Sequence, residues 1–495
     1  MRHLVLFFIL ILVGGKIHAQ NYPDYEMRGA WITTVVNLDW PSSPDLSPEE
    51  QREELIHILD QLKAAGKNAV FFQVRSEADA MFPSPYEPWS YWLTGEQGRP
   101  PEPFYDPLRF AITEAHKRGM ELHAWLNPYR AHRNLDLYPH HESHIARTRP
   151  EWTLSFTGAS GTYLMLNPAL NEVNQFIVDI VSDLVRRYDL DGIHFDDYFY
   201  PYSPKITDED LPQFQADPRG IESIEDWRRD NINRMIVAVN EAIKSIDPQV
   251  KFGVSPFGIR KNSDAGTTGG EGYHLIYADP LQWLTDQSID YIAPQLYWQR
   301  DHEAAPYEPL LNWWAEVSEQ HQRHVYIGLA PYRLGEPFNW SVEELLAQLQ
   351  INRKAPSPVH GSIYFRAQHV IANDQGLRDS LVTNWHSRPV LVPPMPWLPV
   401  KEMAPVEQLD VYRNEEGIRL LWSGHDETAR FAIFRYPEYT DMESVVNGYR
   451  QDALIGITGE KEFTDEQAGA SAWLYAVRPL GRNSELGQAR VIHVH

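Results

Sequence analysis

Gly192-Ile-His-Phe-Asp-Asp-Tyr-Phe-Tyr-Pro201 is the stretch from which this chain is read. Just before it, Asn171 to Asp189 carries Val173, Phe176, Ile177, Ile180, Val181, Leu184 and Val185 at helical spacing, as an amphipathic helix does. The apolar run that follows reads as a short β-strand. Side chains alternate along a strand, so Ile193 and Phe195 share one face while His194 and Asp196 share the other. The apolar face suits a covering layer of helices, and the polar face suits the inside of a barrel. Asp197 falls where the strand ends, so alternation does not set its direction. Two neighbouring carboxylates at that point lose hydration and repel each other. Acid catalysts use this arrangement to keep one carboxyl protonated beside an ionised one.

The same strand-then-helix unit recurs on both sides. Upstream lie Met27–Thr34, Ala69–Arg75 and Glu121–Asn127; downstream lie Lys251–Phe257, Tyr291–Trp298, Val325–Tyr332 and Gly361–Arg366. Helical patterns separate them. Ser47-Pro-Glu-Glu50 is a capping box with proline at the first helical position, and Gly66 ends that helix. Other helices are predicted over Pro107–Arg118, Glu222–Asp247, Ser341–Arg353 and Asn373–Trp385. Eight such units, with polar residues gathered at the strand ends, predict an α/β fold, a (β/α)8 TIM barrel, over residues 20–390. Its active site belongs at the C-terminal ends of the strands. Residues 391–404 are proline-rich and read as a linker. Residues 405–495 carry short alternating strands with turn signals, as in a small fibronectin type III-like β-sandwich.

Residues 1–19 read as a signal peptide: a basic Met1-Arg-His start, an apolar Leu4–Val13 and a cleavage position after Ala19. That apolar run is too short for a stable membrane anchor. The chain has no cysteine, which excludes disulfides and a lipoprotein anchor. An exported protein is expected, periplasmic or extracellular, with no membrane anchor in its mature form. A net charge of −24 argues against nucleic acid as a partner, because phosphate binding needs basic surface. The 16 Trp and 25 Tyr exceed ordinary packing needs and suit stacking against sugars. No HExxH spacing is present, and His140, His141 and His144 form only a loose loop cluster, so no metal is expected. Walker and dinucleotide glycine patterns are absent, so no cofactor is expected either.

Several motifs, in order, carry a family likeness: Arg28-Gly-Ala-Trp31, Asn37-Leu-Asp-Trp-Pro41, Gln73-Val-Arg75, Ala124-Trp-Leu-Asn-Pro-Tyr129, Gly192 to Pro201, Gly253-Val-Ser-Pro-Phe-Gly258 and Pro294-Gln-Leu-Tyr-Trp298. With them the chain resembles the glycosyl-hydrolase-like family related to family 10, exported bacterial proteins with a TIM-barrel core. The resemblance covers about residues 24–390. It implies glycosidase action on bacterial cell-wall glycan, peptidoglycan glycan strands above all, or on another polysaccharide.

Glycoside cleavage commonly uses two carboxyl groups, and the Asp196–Asp197 pair can serve in two ways. In one, the pair resembles the neighbouring acids of N-acetylhexosaminidases that act through the substrate's own acetamido group: one acid orients that group and the other is the general acid. In the other, Asp196 is a direct nucleophile and its acid partner comes from another strand, with Glu77 the first candidate. Arg75 is a candidate for binding a carboxylate or holding Asp196 ionised, and Arg366 for a similar role from strand eight. Asn127 and Gln295 offer amides to sugar hydroxyls or an acetamido group. Tyr129, Tyr198, Tyr297, Trp298 and Tyr332 are candidates for a sugar-binding floor. His194, like His123, is expected to point into the barrel beneath the site. The competing reading is a glycan-binding protein that has lost catalysis.

Overall fold

The computed structural model of the protein describes residues 23–159, 161–424 and 430–495. The signal peptide expected at 1–19 lies outside the described residues. Eight parallel strand positions make the barrel: β1 (Met27–Ile32), β2 (Ala69–Arg75), β3 (Glu121–Leu126), β4 (Gly192–Phe195), β5 (Lys251–Val254), β6 (Tyr291–Ile292), β7 (His324–Val325 continued by Ile327–Leu329) and β8 (Gly361–Tyr364). The first part of β7 pairs with β6 and its second part with β8, so this one strand closes the ring. Gly328 bonds to the β6 side through both its N–H and its carbonyl, at 2.9 Å to Pro294 and 3.1 Å from Leu296.

Helices cover the outside. The helix Asn171–Arg187 buries Val173, Ile177, Ile180, Val181, Leu184 and Val185. Each such side chain contributes about 1.5–3 kcal/mol on leaving water. Phe176, at the edge of the predicted stripe, is only half-buried and meets Trp152 and Tyr86 edge-on. Ser47 and Glu50 form the expected capping box on Pro48–Ala64. Inside the barrel, Trp31, Phe71, Trp125, Tyr291, Tyr326 and Ile363 form a second core. Glycines make room for these rings. A Cβ at Gly192 would lie 2.3 Å from the His123 ring, and one at Gly253 would lie 2.2 Å from the Tyr291 ring.

The structure departs from the sequence expectations in four places. Strands β5, β6 and β7 end earlier than predicted, before or beside Pro256, Pro294 and Pro331, which have no N–H for a ladder. The expected closing helix Asn373–Trp385 is broken into a 3-10 turn, the short helix Leu377–Ser380 and a π turn, with Gly376 at φ +76° at the break. A three-stranded antiparallel sheet, Arg130–His132, Gly161–Leu166 and Thr153–Gly158, is inserted after β3 and has no counterpart in the prediction. Finally, the proline-rich stretch 391–404 is packed rather than free. Val392, Met395 and Leu398 are buried against Met27, Tyr291 and Tyr326, and the Trp397 indole donates to Asp290 at 2.8 Å. Its prolines fix an extended path, and the apolar residues between them plug the N-terminal end of the barrel.

The C-terminal strands form two antiparallel sheets. One orders Gln408–Asn414, Gly417–Ser423 and Glu462–Asp465; the other orders Leu454–Thr458, Arg430–Pro437, Trp473–Leu480 and Arg490–Val494. This β-sandwich contacts the bottom of the barrel through charge. Arg430 lies 3.2 Å from Asp191 and 3.8 Å from buried Glu121. Burial pushes the Asp191 carboxyl up, but Arg430 and His116 outweigh it and hold it well below the usual carboxylate range. Among the described residues, no helix is long and apolar enough to cross a membrane.

Candidate active site

A cavity of about 330 Å3 opens at the C-terminal ends of the strands, with Asp196 and Asp197 in its wall. A larger one, about 410 Å3, lies at the opposite end between the barrel and the β-sandwich. The larger cavity is a seam between the two bodies, and its Asp189, Asp191 and Asp247 are already paired with Arg482 and Arg430. The chemistry belongs to the smaller cavity.

Asp196 follows β4 and is 5% exposed. One of its oxygens accepts from the Trp125 indole at 3.0 Å and from the Asn127 amide; the other accepts the Tyr198 N–H at 3.1 Å. The orientation of Asn127 is inherited from the backbone. The Gln73 side-chain oxygen accepts the N–H groups of Thr34 and Val35, both at 2.9 Å, so its amide nitrogen faces away. That nitrogen donates to Asn127 Oδ1 at 2.6 Å, which leaves Asn127 Nδ2 to donate to Asp196. Three donors fix the direction of this carboxyl.

Asp197 is 8% exposed and is influenced by the Tyr202 hydroxyl and the Gln295 amide. The Gln295 amide also donates to the Ser255 carbonyl at 2.9 Å. Burial is the main force on both carboxyls and pushes them up. Their mutual charge adds to the rise at Asp196, and the Arg130 guanidinium opposes it at both. Neighbouring acids of this kind share one proton near neutral pH. Arg130 lies 4.3 Å over the Tyr198 ring and is anchored to the Ser76 carbonyl at 2.8 Å. Tyr297, roughly parallel to Phe365 at 6.0 Å, completes an aromatic wall with Trp31 and Trp125.

Of the residues singled out from the sequence, Asp196, Asp197, Asn127, Tyr198, Gln295 and Tyr297 line this cavity. Seven others do not: His194 lies beneath the cavity, as expected, and the other six are corrections. The Arg75 side chain binds Glu87 through both Nε and Nη2, at 2.9 and 2.6 Å, because a register shift between Gln73 and Arg75 turns it off the inward face. Glu77 is fully buried under the inserted sheet. Its carboxylate accepts from the Trp92 indole at 2.8 Å, the Tyr138 hydroxyl at 3.0 Å and the Arg133 N–H at 2.5 Å. Burial pushes this carboxyl up, but His132, Arg130 and Trp92 outweigh it and bring it down to about 2. A carboxyl held there has no proton to give at neutral pH, so Glu77 is not the acid partner.

The Tyr129 hydroxyl donates to Asn174 at 2.7 Å within the core. His194 sits below the cavity between the Trp31 indole at 3.2 Å, Ser255 Oγ at 3.1 Å and the Tyr291 hydroxyl at 3.1 Å. Burial keeps its ring neutral. Trp298 packs over Gly258 beyond the rim. Tyr332 stands edge-on behind Tyr297 at 5.7 Å. Arg366 ties Asp39 at 2.7 Å and the Leu38 carbonyl, a structural clasp.

The sequence reading missed Trp31, Gln73, Trp125, Ser255 and Phe365, and also Arg130 and Arg133 of the insertion and Tyr202 of the loop after β4. For Trp31, Gln73 and Trp125 a signal existed: they stand one pleat inside the strand ends, on the inward face. Because Glu77 is structural, Glu77→Gln is expected to cost about 1–3 kcal/mol of stability, the penalty for disturbing a satisfied buried acceptor. Thermal unfolding would show that loss, while kcat of the folded enzyme stays within about twofold of wild type. A large drop in kcat alone would return Glu77 to the chemistry.

The family described as Glycosyl hydrolase-like 10 has a sequence model that matches residues 26–344. Glycosyl hydrolase YngK of Bacillus subtilis (strain 168) is 39% identical over 459 residues, covering 88% of each chain. Glycosyl hydrolase DigH of Escherichia coli (strain K12) is 38% identical over 371 residues, 70% of this chain and 83% of its own. Among solved structures, the PgaB glycoside hydrolase domain from Bordetella bronchiseptica matches with a TM-score of 0.48 at 16% identity, over 72% of this chain and 98% of that one.

Proposed function

The chain belongs to the glycosyl hydrolase-like 10 family and is a glycosidase; we propose that it hydrolyses N-acetylhexosamine-containing bacterial glycan, peptidoglycan glycan strands above all, with Asp196 and Asp197 as its catalytic pair. The observation that carries this reading is the pair's isolation. Among the described residues that line the cavity, Asp196 and Asp197 are the only carboxylates. A two-carboxylate mechanism needs acids on opposite sides of the scissile bond, about 5–9 Å apart. Neighbours on one strand end do not straddle a bond in that way. They do suit a substrate that supplies its own nucleophile.

In this mechanism ionised Asp196 accepts a hydrogen bond from the substrate's acetamido N–H and turns the acetamido carbonyl oxygen toward the anomeric carbon. That oxygen forms the new bond as the glycosidic C–O bond breaks. Asp197 gives its proton to the departing oxygen, then takes one from the water that opens the resulting ring. The wall of Trp31, Trp125, Tyr297 and Phe365 offers apolar faces to the sugar. Export directed by residues 1–19 would bring the enzyme to the wall glycan.

Product analysis by mass spectrometry tests the reading. Wild type and Asp196→Asn/Asp197→Asn would be incubated with intact and peptide-stripped peptidoglycan strands. Short glycans released by wild type alone are the expected result. No product from either strand, with a folded wild type, would sink the peptidoglycan assignment; products from the double variant would sink the pair.

A further inference from the structure

The aromatic surface of the barrel mouth continues past the catalytic cavity. Tyr297 and Phe365, in the cavity wall, both meet Tyr332 nearly at right angles, at 5.7 and 6.0 Å between ring centres. Tyr332 in turn meets Phe338 at 5.8 Å and 88°. These rings form a continuous row, from the cavity wall outward along the loop that follows β7. Phe338, at its outer end, is 45% exposed. Leu38, in the loop after β1, lines the cavity and is 40% exposed. Strands β7, β8 and β1 are neighbours in the ring, so both exposed apolar side chains flank one sector of the mouth. That sector lies away from the sheet inserted after β3.

A single exposed apolar residue is ordinary. Phe338 differs in being held in place. Its loop is a closed turn: buried Trp340 donates its N–H to the Arg333 carbonyl at 3.2 Å, and its carbonyl accepts the Gly335 N–H and the Gln375 amide, both at 3.0 Å. Gly335 at φ +70° and Asn339 at φ +60° turn the chain, in the left-handed region that these two residue types tolerate best. Arg333 sits inside the turn. Its Nε donates to the Tyr332 hydroxyl at 3.0 Å, and its guanidinium lies 4.9 Å over the Phe338 ring and 5.6 Å over that of Trp340. The Phe338 ring is therefore gripped on one face while nearly half of the residue stays in solvent.

We propose that Phe338, seated on Arg333 and Tyr332, is a stacking platform for a sugar ring of the glycan strand, outside the catalytic cavity and on its β7 side. This rests on the glycosidase reading above and adds where the strand runs once it leaves the cavity. A sugar ring has an apolar C–H face and polar edges, so it can cover an aromatic ring while its hydroxyls keep their water. The row of rings from Tyr297 and Phe365 to Phe338 makes the platform continuous with the cavity. Its width also fits. Glu336 and Asn339 beside Phe338 are exposed and polar, which leaves one ring of apolar surface. A protein partner would need several hundred Å2, on the order of 800 Å2 a side.

The test uses the full chain carrying Asp197→Asn, so that ligands bind without turnover. Calorimetric titration would compare peptide-free peptidoglycan oligosaccharides of two and of six sugars. The longer ligand is expected to bind about tenfold more tightly, the gain from covering one exposed aromatic ring. Adding Phe338→Ala should remove that advantage and change the affinity for the shorter ligand by less than about twofold. Phe338→Trp, which keeps a flat apolar face, should retain the advantage. Equal affinity for the two lengths would overturn the platform and leave the glycosidase reading standing. So would a length advantage that survives Phe338→Ala, or a loss in that variant that is the same for both ligands. Binding of neither ligand by the parent chain would overturn the platform together with the glycan reading it rests on.

Discussion

Asp197→Asn is expected to lower kcat by about 10³-fold, within the range that a positioned general acid contributes. Binding should change little, because the amide keeps the shape of the side chain. The loss should depend on the leaving group. A substrate with an acidic aryl leaving group needs no proton, so the variant should recover most of its bond-breaking rate with it. An equal loss on both substrates would remove Asp197 from the acid role. The pH profile gives a second reading of the same residue. The active form has Asp197 protonated and Asp196 ionised, one proton on the pair. Burial pushes both carboxyls up and they share one proton, so activity should fall on the acid side as the pair gains a second proton and on the basic side as it loses the one it holds. Each limb should approach a tenfold change per pH unit. Asp197→Asn should lose the basic limb and keep the acid one.

How far the sequence carried the fold depended on whether a segment's structure is local. Strand alternation and helical periodicity located the eight barrel positions because each strand faces helices on one side and a core on the other. The residue pattern at Ile193, His194, Phe195 and Asp196 therefore named both layers. Proline marked where β5, β6 and β7 stop, and reading past Pro256, Pro294 and Pro331 was an error of rule rather than of information. The inserted sheet at 130–166 is different. Its strands pair with each other rather than with the barrel, and their burial runs in a block, Leu164-Met165-Leu166, where a strand reading looks for alternation.

The candidate site was legible where it stood on strands and misread where backbone irregularity or a loop intervened. Asn127 and Asp196 keep strict alternation and stand together. Arg75 does not, because the register shift at its position in β2 turns it toward Glu87, and no sequence signal marks a shift without glycine. Glu77 was attractive as an acid near a strand end. Its burial beneath the Arg130–His132 strand is a long-range consequence of the insertion, and so is its lowered affinity for protons. Arg130 and Arg133 come from that same insertion, which explains why the positive side of the cleft was invisible from the sequence.

Asp196→Asn is expected to cost about 10²–10³-fold in kcat, the range for removing one preorganised electrostatic contact to developing charge. Here the charge develops on the acetamido group as its oxygen bonds to the anomeric carbon. The same logic makes the acetamido group indispensable: a matched substrate with a 2-hydroxyl in its place should be cleaved at least about 10²-fold more slowly, since the internal nucleophile and its entropic advantage are gone. A cyclic thiazoline mimic of the intermediate should inhibit wild type and lose much of its affinity for Asp196→Asn. Nucleophilic use of Asp196 makes the opposite forecast, a covalent glycosyl–enzyme that mass spectrometry would find on Asp196 after reaction with a 2-fluoro sugar. The geometry weighs against that bond. Both oxygens of Asp196 already accept hydrogen bonds, from Trp125 and Asn127 on one and from Tyr198 on the other. Attack through either oxygen would have to give up part of that stabilisation, whereas accepting one more N–H from the substrate uses a lone pair that remains.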